Sequence, residues 1–278
     1  MSNSRSLINT APTGWRVVGK PIAWFLGAVS IASHCFAAAP SVAVYGVEPG
    51  RAAAIANHAE VVRREAFTCL LRDSQPRPWA PRCSIHVHRS KHSFARAVGA
   101  QPDHARGATS IEFSGDDVSL RRIDVMGDGT DVIPDALAHE LVHVVLADRF
   151  REYAPPRWAD EGVAMLFDTA AKQSGHEADF RRAHDAGSAF SLDDILALEH
   201  YPGSPARQRV FYGQSAALVR WLIAREGAAV FVDFVDDAVR ADVATALKRH
   251  YGLESLASLD AAWKEVPQVK TLAFVQVQ

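Results

Sequence analysis

The spacing of apolar residues in this chain changes character near residue 131, and that change constrains the fold class more than any other feature. Before it, Ser41-Val42-Ala43-Val44-Tyr45 and Ser84-Ile85-His86-Val87-His88 alternate with period two, as strands do when successive side chains face opposite ways. From Gly107 to Met126, β-branched residues recur between Gly115-Asp116-Asp117 and Gly127-Asp128-Gly129, which predicts a hairpin. Two helices interrupt these strands: one over residues 50–72, and a short one over Ser93–Val98, expected to be capped by Ser93 and stopped by Gly99. Beyond residue 131 every strong pattern is helical, with short helices expected over 216–224, 228–237, 241–250 and 256–263. Strands first and helices afterwards predict an α+β fold, a small N-terminal β-sheet portion followed by a mostly helical one. A functional site is expected at the junction, where pockets favour such boundaries.

The first strong helix after the change carries His139-Glu140-Leu141-Val142-His143. A helix turns about 100° per residue, so the two histidines, four positions apart, share a face and can reach one metal ion. Zinc is the usual occupant of such a pair, and Glu140 projects beside that face, placed to take a proton from a water held there. By itself the pattern also fits an amphipathic helix with two polar histidines, so a third ligand is required. Pro155-Pro156 breaks the chain and starts a new helix, on which Glu161 lies 18 residues after His143. That distance lets the first helix end and a second return alongside it, so that Glu161 completes a His2Glu set with one coordination position open for water. A lone helix glutamate is ordinarily a solvated residue. After a His-Glu-x-x-His helix at this spacing, the ligand role becomes the stronger reading.

These residues resemble the gluzincin metallopeptidases, specifically small bacterial proteins with a peptidase MA-like domain. The resemblance rests on His139-Glu140-Leu141-Val142-His143 and on Trp158-Ala159-Asp160-Glu161-Gly162-Val163-Ala164. It rests more loosely on Phe211-Tyr212-Gly213-Gln214-Ser215 with Leu218-Val219-Arg220-Trp221-Leu222, and it covers about residues 84 to 265. It implies a zincin-like fold with the active-site helix at the junction. It also implies a zinc-dependent hydrolase of peptide bonds, with Zn2+ on His139, His143 and Glu161 and with Glu140 as general base. Many gluzincins carry an aspartate four residues after the third ligand, where it orients a zinc-bound histidine. Here that position is Met165, so the resemblance requires Asp160, Asp168 or a backbone carbonyl to take that part. It also implies that an extended substrate lies along an edge strand, for which Ala108–Phe113 or Val118–Leu120 are the candidates.

The developing oxyanion of peptide hydrolysis needs a donor besides the metal. Tyr212 is assigned that part ahead of Tyr153 and Tyr201, because Phe211–Ser215 is expected to open a helix after the loop Pro202-Gly203-Ser204-Pro205. His86 and His88 share a strand face and could chelate a metal with His92. No carboxylate or cysteine lies near them with ligand spacing, so they read as a half-exposed strand face.

Residues 1–20 hold Arg5, Arg16 and Lys20 and no acid, and an apolar run from Ile22 to Ala32 and the small residues around Ala37 follow. These are the parts of a secretory signal peptide, expected over 1–37, with an uncleaved membrane anchor as the alternative and a lipoprotein on Cys35 a weaker one. The run is shorter than the roughly 20 residues a membrane-spanning helix needs, so no stable span is expected after cleavage. Removing residues 1–37 takes away three basic residues and moves the formal charge from −2 to −5, which argues against nucleic acid as a partner. Export to the periplasm or beyond would permit a disulfide between Cys69 and Cys83, closing the proline-rich loop Asp73–Arg82. The expected organisation is thus a signal peptide at 1–37, an N-terminal segment at 38–83 and a peptidase MA-like domain at 84–270. Its expected partner is a peptide or protein substrate, and nothing in the residues encodes an oligomeric state. Two other readings compete: a zinc-binding module that holds peptide or envelope components without turnover, and a zinc amidase acting on cell-wall peptides.

Overall fold

The computed structural model describes residues 40–99, 105–127 and 132–264, together with the backbone of three short strand stretches, Ser4–Ile8, Val17–Val18 and Ala37–Ala38. The signal peptide expected over 1–37 lies outside the described residues, those stretches apart. The chain is a mixed α+β protein that divides into two compact units. The first comprises residues up to Glu65 together with Gln75–Glu152; the second comprises Ala66–Ser74 and the chain from Tyr153 onward.

In the first unit, β1 (Val42–Tyr45), β2 (Cys83–His88), β3 (Gly107–Ser114) and β4 (Asp117–Met126) form a sheet of order β3-β4-β2-β1. β1, β2 and β4 run parallel, and β3 pairs antiparallel with β4 through the tight turn at Gly115-Asp116. Parallel neighbours require a crossover, and between β1 and β2 it is α1 (Pro49–Leu71). Between β2 and the hairpin lies α2 (Lys91–Val98). Its cap is Ser90 rather than Ser93: the Ser90 hydroxyl accepts from the Ser93 backbone N–H, and Gly99 ends the helix at φ 68° as expected. The register sets Val44, Ile85, Ile123 and Thr109 side by side across the sheet, all of them buried. Residues at one level of adjacent strands share a face, so Thr109 is a single hydroxyl at the end of an aliphatic row. Helix α3 (Leu137–Arg149) packs on β3 and β4.

The proline-rich loop is not stapled by a disulfide. Cys69 and Cys83 are free thiols, which corrects the expected bridge. Cys69 Sγ is 3.7 Å from the carbonyl of Ala66 one turn earlier in α1, whereas Cys83 is sealed inside the sheet, where burial raises its thiol pKa. Trp79 fastens the loop instead. Its indole N–H donates to Asp148 at 2.6 Å, and the guanidinium groups of Arg63 and Arg121 lie 5.2 and 5.5 Å from its ring centre. Arg121 also donates to Asp148, at 2.6 Å, and Arg63 reaches the carbonyls of Pro76 and Arg77. A buried indole held by this network orders a segment too rich in proline for regular structure.

The second unit is helical: α4 (Arg157–Met165), α5 (Ala170–Asp185), α6 (Leu192–Leu196), α7 (Pro205–Glu226), α8 (Ala228–Arg240), α9 (Val243–Tyr251) and α10 (Leu256–Lys264). Side chains of Thr169, Ser191, Ser204 and Asp242 cap four of them by accepting from backbone N–H groups. α7 is the organising element and packs against α4, α5, α8 and α9. It starts at Pro205, so Tyr212 lies two turns inside it rather than at the helix opening the sequence suggested. α5, Ala170-Ala171-Lys172-Gln173-Ser174-Gly175-His176-Glu177 and onward, carries too few apolar residues to show a helical period, which is why no pattern marks it.

Candidate metal centre

Helix α3 carries Leu141, Val142, Val144 and Val145, all buried, and this apolar content holds it against the sheet. With them His139, Glu140 and His143 are drawn out of water. The two imidazole rings are 5.0 Å apart between centroids and inclined at 75°. Burying imidazoles and a carboxylate is costly unless their polar atoms find partners.

Glu140 is seated by β3. The Thr109 hydroxyl stands 2.7 Å from Glu140 Oε2 and 3.1 Å from its backbone carbonyl. Gly107, two residues earlier on the same strand, leaves the space the carboxylate fills: a Cβ there would stand 2.4 Å from Glu140 Oε1 and 2.7 Å from its Cγ. Any residue but glycine at 107 would push that side chain aside.

Glu161 is seated within the second unit. Pro156 precedes the first turn of α4, where its missing N–H costs nothing, and Trp158 packs edge-on against Phe231 of α8 at 5.9 Å. The next residue, Gly162, allows α4 to approach α7 closely. A Cβ at 162 would come within 2.7 Å of the Ser215 carbonyl and 2.4 Å of Val219. The Glu161 carboxylate accepts a hydrogen bond from the Tyr201 hydroxyl at 2.5 Å. The Arg157 guanidinium lies 4.6 Å over the Tyr201 ring and donates to the Glu199 carbonyl. Burial, reinforced by the Glu161 charge, raises the Tyr201 pKa far above its ordinary value, so this hydroxyl keeps its proton and acts as a donor.

One ligand atom from each of His139, His143 and Glu161 lies within 4.8 Å of the others, all three residues are buried, and the triad could hold a metal ion. The chemistry of the set fits: two neutral imidazole nitrogens and a carboxylate oxygen are donors for divalent ions, and three protein ligands leave a position open. Among the described residues this is the one group of three or more such side chains arranged to do so. His86 and His88 are used otherwise: His86 stacks on Tyr45 at 4.9 Å, and His88 Nε2 meets the Asp124 carboxylate at 2.7 Å.

The segment Phe211–Ser215 has packing roles. Gly213 admits α5, since a Cβ there would meet the His176 carbonyl at 2.3 Å. Gln214 pairs with both backbone groups of Phe190 at 2.8 Å each, pinning the loop before α6. The Tyr212 ring packs beside Tyr201, Phe211 and His176. Of the two acids expected near the ligands, Asp168 faces Lys172 at 3.6 Å and His176 at 3.8 Å, and Asp160 is buried in the first turn of α4. Sequence reasoning placed Tyr201 behind Tyr212 and overlooked Thr109 and Gly107. Only Thr109 left a signal, as a hydroxyl on the strand face shared with Ile111 and Phe113. No protein-family model matches this chain, and no curated protein matches it significantly.

Proposed function

We propose that this protein is a zinc-dependent peptidase in which His139, His143 and Glu161 bind the ion and Glu140 is the general base. The observation that carries this reading is the grouping of those three buried donors, with Glu140 next to the first of them on the same helix. Zinc bound there would supply Lewis acidity toward water and toward a peptide carbonyl.

The remaining chemistry belongs to the chain. Glu140 takes a proton from the attacking water, keeps it while the C–N bond breaks, and delivers it to the departing amine nitrogen. Thr109 and Gly107 limit the orientations open to this carboxylate, which keeps the proton-accepting group in one place between the two transfers. Tyr201 orients the Glu161 carboxylate, a positioning role of the sort that tunes a ligand's hold on its metal.

The test compares purified full-length protein with its Glu140→Gln variant, measuring zinc content and cleavage of a mixed peptide library. One zinc per chain in both, with cleavage products from the wild type alone, is the expected result. Wild-type protein that takes up no zinc would refute the metal assignment. Zinc binding with no products from either form would leave a binding module instead of an enzyme.

A further inference from the structure

The second unit contains a cavity of about 640 Å³, within the range of small-molecule sites, that involves none of the residues discussed as metal ligands. Its walls include Phe180, Phe190, Trp221 and Trp263 with Leu192 and Leu256. The aromatic walls support one another: Trp221 meets Trp263 edge-on at 5.7 Å, Phe180 lies 6.1 Å from Trp263, and Arg207 sits 3.6 Å over the Phe190 ring.

Arg220 also lines this cavity, although it is only 5 % exposed. Among the described residues no carboxylate lies within ion-pair distance of it, and its buried Nε has no hydrogen-bond partner. Its one hydrogen bond is a long one, 3.4 Å from a terminal nitrogen to the Gln173 side-chain oxygen. Gln173 offers that oxygen because its amide nitrogen already donates to the carbonyls of Leu166 and Asp168, at 3.0 and 2.8 Å. Burial lowers the Arg220 pKa from its ordinary value, with Glu177 opposing. Of the three acids along the cavity, Glu177 meets Arg181 at 2.9 Å and Asp260 meets Lys264, while Asp193 is exposed to solvent. A guanidinium in apolar surroundings without a counter-ion is costly, and it is best explained by an anion that arrives with a ligand.

We propose that this cavity binds an aromatic carboxylate, its ring among the aromatic walls and its carboxylate on Arg220. The geometry of a guanidinium fork favours a carboxylate over a point acceptor, and a cavity of this size takes a ring with a short chain. The site is independent of the metal reading and would persist in protein stripped of zinc.

Phenylbutyrate and its uncharged analogue phenylbutyramide serve as probes, titrated against the full-length protein while the fluorescence of Trp221 and Trp263 is followed and calorimetry counts sites. The acid should bind about tenfold or more tightly than the amide, since a charge-assisted hydrogen bond is being compared with a neutral one. Arg220→Gln should bring the acid down to the amide's affinity, and Ala217→Trp, which fills the cavity from its wall, should abolish binding of both. Equal affinity for acid and amide in the wild type would overturn the proposal without any variant having to fold. So would a preference for the acid that survives Arg220→Gln, or binding unaffected by Ala217→Trp.

Discussion

Glu140 and Glu161 are both buried glutamates on helices, each hydrogen-bonded to a hydroxyl group and each dependent on a nearby glycine, yet they are fastened by opposite means. Glu140 sits on a helix lying on a sheet. Its hydroxyl partner, Thr109, and its glycine, Gly107, are two residues apart on one strand, and the space at Gly107 is taken by the carboxylate itself. Glu161 sits on a helix packed against another helix. Its hydroxyl comes from Tyr201 in the loop before α7, and the space at Gly162 is taken by the α7 backbone and Val219. In the first unit glycine makes room for the acid; in the second it makes room for the helix that carries the acid. Damage at the first should therefore fall on chemistry, and damage at the second on architecture and ligand placement.

The strongest challenge to this division is removal of each acid in turn. Glu161→Ala should take zinc content from one per chain to nearly none and abolish turnover with it. Glu140→Gln should leave zinc in place and slow turnover by roughly 10²–10⁴, the usual contribution of a general base. Elemental analysis beside peptide-cleavage rates reads both. If Glu140→Gln also emptied the site, the distinction between ligand and base would be lost.

The glycines test the same contrast by stability. At Gly162 a methyl group meets backbone, which can move only if α4 and α7 separate, so Gly162→Ala should destabilise by about 1–3 kcal/mol. At Gly107 the methyl group meets only side-chain atoms of Glu140, which can rotate away. Gly107→Ala should thus keep most of its thermal stability and zinc while losing turnover. Melting curves of the two variants side by side decide it, and equal losses of melting temperature would break the contrast.

A smaller effect is expected from the hydroxyls. Tyr201→Phe should weaken zinc affinity about tenfold or more, as loss of a group orienting a metal ligand does, while Thr109→Val should leave zinc affinity alone and lower turnover. Competition with a calibrated zinc chelator measures the first. The ratio of the two variants' effects matters more than either alone, because both substitutions remove one hydroxyl oxygen that hydrogen-bonds a buried glutamate.

Much of this architecture was legible in the residues, and what was hidden follows a pattern. The strands at 42–45 and 83–88 and the hairpin show in the spacing of apolar residues, since each has a buried face, and the helix of His139 and His143 shows in its near-continuous apolar content, since it is buried nearly all round. Tyr201 could not be found that way. It lies in a loop, where no period applies, and its partner is 40 residues away in sequence. Tyr212 stands in a recognisable segment whose neighbours Gly213 and Gln214 serve close helix packing and a pinned loop, and its own ring packs beside Tyr201. The cysteines misled for a related reason: a proline-rich loop between two of them suggests a staple, and the actual fastening by Trp79, Asp148 and two arginines is assembled from distant positions. α5, with its polar sequence, left no trace at all.

The first unit also contains a carboxylate fastened by a guanidinium and an imidazole, and it provides the finest test of what a hydroxyl-held acid means. Asp124 is buried, which favours its neutral form, but its hydrogen bonds from Arg122, at 2.7 and 2.8 Å, and from His88 outweigh burial and hold its pKa below the ordinary value. A carboxyl with a depressed folded-state pKa contributes stability that is fully present above its unfolded value, about 3.9, and lost as pH falls through the lower folded value. The difference in melting temperature between wild type and Asp124→Asn should therefore shrink as pH falls below about 4. Turnover above pH 5 should be the same in both, because Asp124 fastens the sheet and has no part in the proposed proton transfers. A difference that instead grew as pH fell below 4 would mean that Asp124 is neutral in the folded protein, against the hydrogen bonds from Arg122 that hold its pKa down.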